Sequence, residues 1–409
     1  MKLLFSEKIL NIVLRGITIV LKFVLSIIVI KKISIEEYGT YGLFQSTVII
    51  LTFIVGFDFY SYSSREILSK GIETFNYYFK NQLIFHLVTY LIILPLSYFL
   101  FYWKIVDFKY VYLFILILLS EHISQEVYRM LIVIKKTVAA TFVLFIRSGI
   151  WVVLLYLFWE LNIMEANLKS ILVLWSVGAV LSVIIGLFYL DFKWATGFDI
   201  NWIKKGVIVA IPFFIGTILY KLIEFSGRYF LNYYHSSKEV GVFTFFSSIA
   251  NILFVFVQTI VIIELFPSLL ESKSKSYEKF SEKLKIFEKQ IFIYSIIGTV
   301  LSLLGIYPLL HFLDKTVLFD SIFSYIILLL SSAFFSFSFV SHYALYSFNL
   351  DWKILKATLI GVFFNLVASF LLIPKYGILG AAVSQFISFF MLFIAKLYFW
   401  TKTKKEVNQ

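Results

Sequence analysis

Apolar runs of roughly 20 residues recur along the whole chain, separated by short polar stretches. A helix of that length crosses a bilayer core of ~30 Å, whereas a membrane β-strand needs about ten residues and alternates apolar with polar positions. The runs here do not alternate. The pattern predicts about twelve spanning helices, near residues 9–30, 41–57, 82–103, 110–134, 139–158, 170–190, 206–231, 241–266, 291–312, 321–346, 354–373 and 377–400. The fold class that follows is an all-α polytopic membrane protein.

The polar stretches carry further pattern. Asp58 to Asn81 combines Arg65-Glu66-Ile67-Leu68 with Phe75, Tyr77 and Tyr78, which reads as a short amphipathic helix on the cytoplasmic surface. Glu271 to Gln290 mixes Lys and Glu with Phe280, Leu284 and Phe287 at helical spacing, and reads similarly. A short motif recurs. Ser34, Glu37-Tyr38-Gly39, Phe44 and Ser46 reappear as Ser236, Glu239-Val240-Gly241, Phe246 and Ser248, each 202 positions later. An even number of spans separates the copies, so they share an orientation, as in a parallel duplication. Two six-helix lobes are expected, at 1–192 and 206–409, related by a parallel pseudo-two-fold axis and joined by a cytoplasmic linker at 193–205.

Composition narrows the class. With 61% hydrophobic and 15% charged residues and a mean hydropathy of +0.92, the chain lies outside the soluble range of roughly a quarter charged. The net charge of +12 could suggest nucleic acid, but its distribution fits membrane topology instead. With both termini cytoplasmic, 21 of the 36 Lys and Arg fall in cytoplasmic segments and 8 on the opposite side, as the positive-inside rule requires. The basic-then-apolar start resembles a signal peptide, yet its apolar run is too long and lacks a small-residue cleavage site, so a retained first span is expected. No cysteine is present, so neither a disulfide nor a thiolate metal site is available.

The remaining seven cations lie inside spans. A charge at mid-membrane costs roughly 2.5–3.5 kcal/mol on insertion scales, so such groups should face a cavity or a partner. Arg15 and Lys22, seven residues apart, project from one stripe of the first span. In the fourth span Glu121, His122, Gln125, Glu126 and Arg129 recur at three- and four-residue steps, and Lys221, Glu224 and Arg228 do so in the seventh. Arg147 lies in the fifth and Glu264 in the eighth. A lumen lined by Arg15, Lys22, Arg129, Arg147, Lys221 and Arg228 against Glu121, Glu126, Glu224 and Glu264 has an excess of cation. Guanidinium groups bind phosphate oxygens in bidentate fashion, so phosphate or pyrophosphate is the implied head group. Against this stands a structural reading in which Arg129 and Arg228 snorkel and the Glu–Lys and Glu–Arg pairs hold helices together. Glu121, His122, Glu126 and Glu224 are candidates for ion coupling, while His86 and His342 read as packing residues. Neither a Gly-rich phosphate loop nor a metal-ligand spacing appears in the sequence, and no cofactor is expected. Active transport would then draw on a proton or sodium gradient.

Several segments together carry a family resemblance: Ile33-Ser34-Ile35-Glu36-Glu37-Tyr38-Gly39-Thr40-Tyr41-Gly42-Leu43-Phe44, Gly56-Phe57-Asp58-Phe59-Tyr60, Ser64-Arg65-Glu66-Ile67, Glu121 with Gln125 to Arg129, Phe266-Pro267-Ser268 and Tyr376 to Ala382. On these the chain resembles the polysaccharide flippases of the O-antigen and repeat-unit exporter type, within the multidrug/oligosaccharidyl-lipid/polysaccharide (MOP) exporter superfamily. The resemblance implies a V-shaped pair of lobes and alternating access in the cytoplasmic membrane. The implied cargo is an undecaprenyl-pyrophosphate-linked oligosaccharide, such as a lipopolysaccharide repeat unit, and the implied partners are membrane lipids and other polysaccharide-assembly proteins. It also implies that Arg15 and Lys22 meet the pyrophosphate. Two alternatives remain at this point. A drug antiporter of the same superfamily would need a dominant lumenal carboxylate, and a polysaccharide polymerase or ligase would be expected to carry a large outer loop, for which the short connections leave no room.

Overall fold

The computed structural model describes residues 2–194 and 197–407, and every regular element among them is helical. In chain order these are α1 (Lys2–Lys32), α2 (Ile35–Gly56), α3 (Tyr60–Lys70), α4 (Phe75–Leu96), α5 (Tyr98–Tyr102), α6 (Val111–Val133), α7 (Thr137–Phe145), α8 (Trp151–Glu160), α9 (Leu168–Leu190), α10 (Ile200–Tyr234), α11 (Ser237–Val257), α12 (Ile263–Lys275), α13 (Tyr277–Leu313), α14 (Thr316–Asp320), α15 (Ile322–Ser347) and α16 (Asp351–Val407). One π-helical turn, Ile146–Ile150, joins α7 to α8, and another, Gln258–Ile262, joins α11 to α12. Among the described residues eleven helical stretches are long and apolar enough to cross a membrane. The last of them, α16, breaks at Gly377 (φ 51°, ψ −126°) into two such lengths, which gives the twelve spans expected.

The chain folds as two compact units, Met1–Ile218 and Leu219–Gln409. In the first, small residues on α9 let neighbouring helices approach, since lipid supplies no hydrophobic drive between spans. A Cβ on Gly186 would come within 2.5 Å of Val127 on α6, and one on Gly178 within 2.7 Å of Trp151 on α8. Between them, Ser182 donates a 2.7 Å hydrogen bond to Ser124. The segment before α10 is less of a free linker than its polarity suggests. Asn76 and Asn81 accept hydrogen bonds from the backbone N–H groups of Lys193 and Asp199, and Asp199 caps α10 through the N–H of Trp202. Trp202 then packs in an aromatic cluster with Phe59, Tyr62 and Tyr78. In the second unit, α15 and α16 form the main packing pair; Ser388 donates to the carbonyl of Gly361, and Ser331, Ser336 and Ser338 are buried on α15.

The two amphipathic stretches fold differently. Asp58 to Asn81 does contain a separate short helix, α3, with Tyr62 and Ile67 buried. Glu271 to Gln290 does not: Ser276 caps a new helix through the N–H of Lys279, and α13 runs on without a break into the ninth span. Phe280, Leu284 and Phe287 are buried on that extension, so their spacing marks a core face of a long helix.

The repeated motif has the same local structure in both places. Ser34 caps α2 by accepting from the N–H of Glu37, and Ser236 caps α11 by accepting from that of Glu239. Each glutamate then reaches the start of the last span in its own unit. Glu37 accepts from the backbone N–H of Leu168, the first residue of α9, while Glu239 lies against Gly377, where the final span begins. A carboxylate at a helix N-terminus is favourably placed toward the positive end of the macrodipole. Gly377 also has a positive φ and no room for a Cβ, which would fall 2.4 Å from Glu239 Oε2.

Gly377→Ala should therefore lower the thermal unfolding midpoint in detergent by several degrees, because backbone strain of about 1–3 kcal/mol adds to the clash. Gly216→Ala, where nothing lies within 4 Å, should leave the midpoint unchanged or slightly raised.

Candidate functional site: polar clusters inside the spans

Within the first unit the cations read from the sequence fall into two clusters. In the first unit, Asn11, Arg15, Thr18 and Lys22 form one stripe of α1, with Asn11 donating to Thr137 at 3.3 Å. Arg15 and Lys22 are both exposed. Lys22 lies within electrostatic reach of Arg147 and Glu121. Arg147 sits in the π-helical turn, where the irregular backbone leaves its carbonyl to accept a 3.0 Å hydrogen bond from the Trp151 indole. Such turns are frequent at functional sites. Glu121 is engaged by the Trp175 indole at 2.7 Å and stands 3.7 Å from Arg147 Nε. That leaves Arg147 Nε and Nη1 buried with no hydrogen-bond acceptor among the described residues. Two cations thus share one carboxylate, and the guanidinium retains unused donors.

A second cluster lies on α4 and α6. Glu126, 2% exposed, takes Arg129 Nη1 at 2.6 Å and accepts a further hydrogen bond from Gln82. His86 Nε2 lies 3.8 Å from the same carboxylate. His122 Nδ1 pairs with the Tyr90 hydroxyl at 2.5 Å, and Arg129 stacks over Tyr60 at 3.6 Å. The sequence grouped Glu121 with His122, Glu126 and Arg129 on one face. They divide instead, because neighbours on a helix point about 100° apart: Glu121 turns toward Arg147 and Trp175, and the others toward α4. Just after α2, Asp58 is buried with Oδ2 unpartnered. Burial pushes its carboxyl above the usual range, against opposing contributions from a Thr217 hydrogen bond and Arg129.

In the second unit Lys221 pairs with Glu224 at 2.7 Å, and both Lys221 and the buried Arg228 face the Phe225 ring. Glu264 is exposed. The sequence reading passed over Lys396 as a site residue. It is fully buried; its Nζ donates to the Tyr220 hydroxyl at 2.6 Å and to Ser338 at 3.5 Å, and it faces the rings of Tyr220 and Phe339. Among the described residues no carboxylate pairs with it. Its signal in the sequence is a lone lysine deep in an apolar run.

The family described as polysaccharide biosynthesis protein matches residues 6–273. The chain belongs to that family. Its fold is that of the MOP superfamily. It superimposes on an inward-facing multidrug resistance MATE family transporter with a TM-score of 0.77 at 16% identity, covering 97% of this chain and 99% of that one. For the lipid II flippase MurJ in an inward closed conformation the values are 0.75 and 14%, over 95% and 87%. A MOP superfamily transporter from Pyrococcus furiosus, described as having a binding pocket of reverse polarity, matches at 0.59 and 13%, over 99% and 95%. No curated protein matches the chain. A multi-pass membrane transporter fold of this family is the frame in which the clusters act.

The Glu126–Arg129 pair yields a specific expectation. Arg129→Met leaves a buried carboxylate uncompensated and should destabilise the protein by about 3–5 kcal/mol. Arg129→Met with Glu126→Gln should recover most of that loss in thermal unfolding of the detergent-solubilised protein.

Proposed function

We propose that this protein is a flippase that moves an undecaprenyl-pyrophosphate-linked oligosaccharide from the cytoplasmic to the outer leaflet of the cytoplasmic membrane by alternating access, with both termini cytoplasmic. The observation that carries the reading is Arg147: a half-buried guanidinium whose Nε and Nη1 have no hydrogen-bond acceptor among the described residues, beside Lys22 and a carboxylate already committed to Trp175. An arginine at membrane depth with spare N–H groups is suited to an anionic ligand, and pyrophosphate oxygens accept in the fork geometry that guanidinium offers. Lys22 adds a point charge, and Arg15, two turns back along α1, extends the cationic stripe. Arg129 and Lys221 have their own glutamates and serve positioning instead. The family supplies the polysaccharide context, and the likeness to MurJ, named a lipid II flippase, supports the reading of a lipid-linked cargo.

Transport is proposed to draw on a proton or sodium gradient, read by the buried Asp58, whose Oδ2 has no partner among the described residues, with other polysaccharide-assembly proteins supplying and removing the cargo. The MATE likeness makes a drug antiporter the competing reading. That reading calls for an uncommitted acid as the cargo-facing group; Glu121, Glu126 and Glu224 each have a cationic neighbour, which leaves Asp58 and the exposed Glu264 as its candidates.

Arg147→Gln and Lys22→Ala should each reduce surface polysaccharide about tenfold or more, the loss of one charge-assisted contact, at unchanged protein level in the membrane. Arg129→Lys should reduce it far less. Wild-type polysaccharide in both Arg147→Gln and Lys22→Ala would overturn the head-group assignment. In proteoliposomes, collapsing both gradients should stop net translocation; undiminished transport would overturn the coupling.

A further inference from the structure

His122 and Glu126 stand four residues apart on α6 and so project from one face, while His86 faces them from α4. One donor atom from each of the three lies within 4.8 Å of the other two, and all three residues are buried. Points at that separation are each about 2.8 Å from a common centre, against about 2.0–2.2 Å for nitrogen and oxygen ligands of zinc. Less than an ångström of closure per ligand completes the set.

The ring nitrogens point the same way. When His122 Nδ1 donates to the Tyr90 hydroxyl, the lone pair rests on Nε2, the arrangement in which a second-shell partner orients a metal-binding imidazole. His86 Nε2, the nitrogen 3.8 Å from Glu126, pairs with the Gln82 amide at 3.2 Å, a contact that an ion would displace. Among the described residues His122 Nε2 has no hydrogen-bond partner. Nε2 faces Gly56, where a Cβ would lie 3.1 Å from it and 3.9 Å from Glu126 Oε1. The glycine therefore keeps open the space beside both atoms.

We infer that His86, His122 and Glu126 form a binding site for a divalent transition-metal ion of the zinc class, tying α4 to α6 within the N-terminal unit. Two imidazoles and one carboxylate suit Zn²⁺, Co²⁺ or Ni²⁺, whereas Mg²⁺ and Ca²⁺ prefer all-oxygen sets. The electrostatics are mixed. Glu126 and the nearby Asp58 favour a dication, and Arg129, which lies over Tyr60 and holds one Glu126 oxygen at 2.6 Å, opposes it, so the ion would coordinate the other oxygen.

The inference is independent of the cargo, because its test measures no transport. Purified full-length protein in detergent is stripped of metal, titrated with Zn²⁺ alone, and separately with Co²⁺. The expected result is one zinc per chain, visible Co²⁺ absorption bands that added zinc removes, and no competition from a large excess of Mg²⁺. His122→Gln should weaken zinc binding about tenfold or more, as should Gly56→Ala, which keeps all three ligands but fills the space; His311→Gln, at the far end of α13, should not. Absence of stoichiometric zinc binding and of Co²⁺ bands in the wild-type protein would overturn the inference. So would wild-type zinc affinity in both His122→Gln and Gly56→Ala.

Discussion

A polar group placed among lipid-facing helices must find its partner within the protein, and that constraint shapes every cluster described above. Glu126 is the clearest case: three side chains from two helices converge on one buried carboxylate. Lys221 meets Glu224 one turn away on its own helix, and the serines of α15 and α16 return hydrogen bonds to backbone carbonyls. Where the constraint is met in full, the cluster holds helices in register. Incomplete satisfaction, as at Arg147, leaves capacity for something that arrives from outside.

The same logic explains the repeated motif. A serine that caps a span and a glutamate three residues on that reaches the start of another span accomplish two things with few residues. An N–H group of the first turn is satisfied, and the second and last spans of a unit are held at one end. Both units use this device, at Ser34 with Glu37 and at Ser236 with Glu239. In the second unit the tie lies against Gly377, whose positive φ favours a residue without a Cβ.

The number of spans and the class of fold were legible from length and apolarity alone, because a helix in lipid has few other ways to end. The partners of the charges were less so. Arg147, Glu121 and Trp175 lie on three different spans, and no periodicity along one helix reveals that they meet. Glu121 and His122 are adjacent in sequence yet face different neighbours, since a single helical step is enough to separate them. His86 reads as a packing residue until α4 is laid beside α6; only then do its neighbours become His122 and Glu126. Likewise Phe280, Leu284 and Phe287 show a helical face in the sequence, but nothing local states that this helix continues into the membrane.

Counting cations inside spans therefore misleads unless each is weighed against its acid. Arg129 and Lys221 are charges answered at 2.6 and 2.7 Å, and a phosphate competing for either would have to displace a carboxylate already in place. Arg147 stands 3.7 Å from a carboxylate that another residue holds, so a phosphate oxygen arriving there gains hydrogen bonds and breaks none. Lys396 is a third type, a cation solvated by hydroxyl and aromatic groups, with no acid to surrender and no open side from which an anion could enter. Of these three environments only that of Arg147 rewards an incoming anion, which is why the site proposed for the head group is the junction of α1, α6 and the π-helical turn and not the cations as a set.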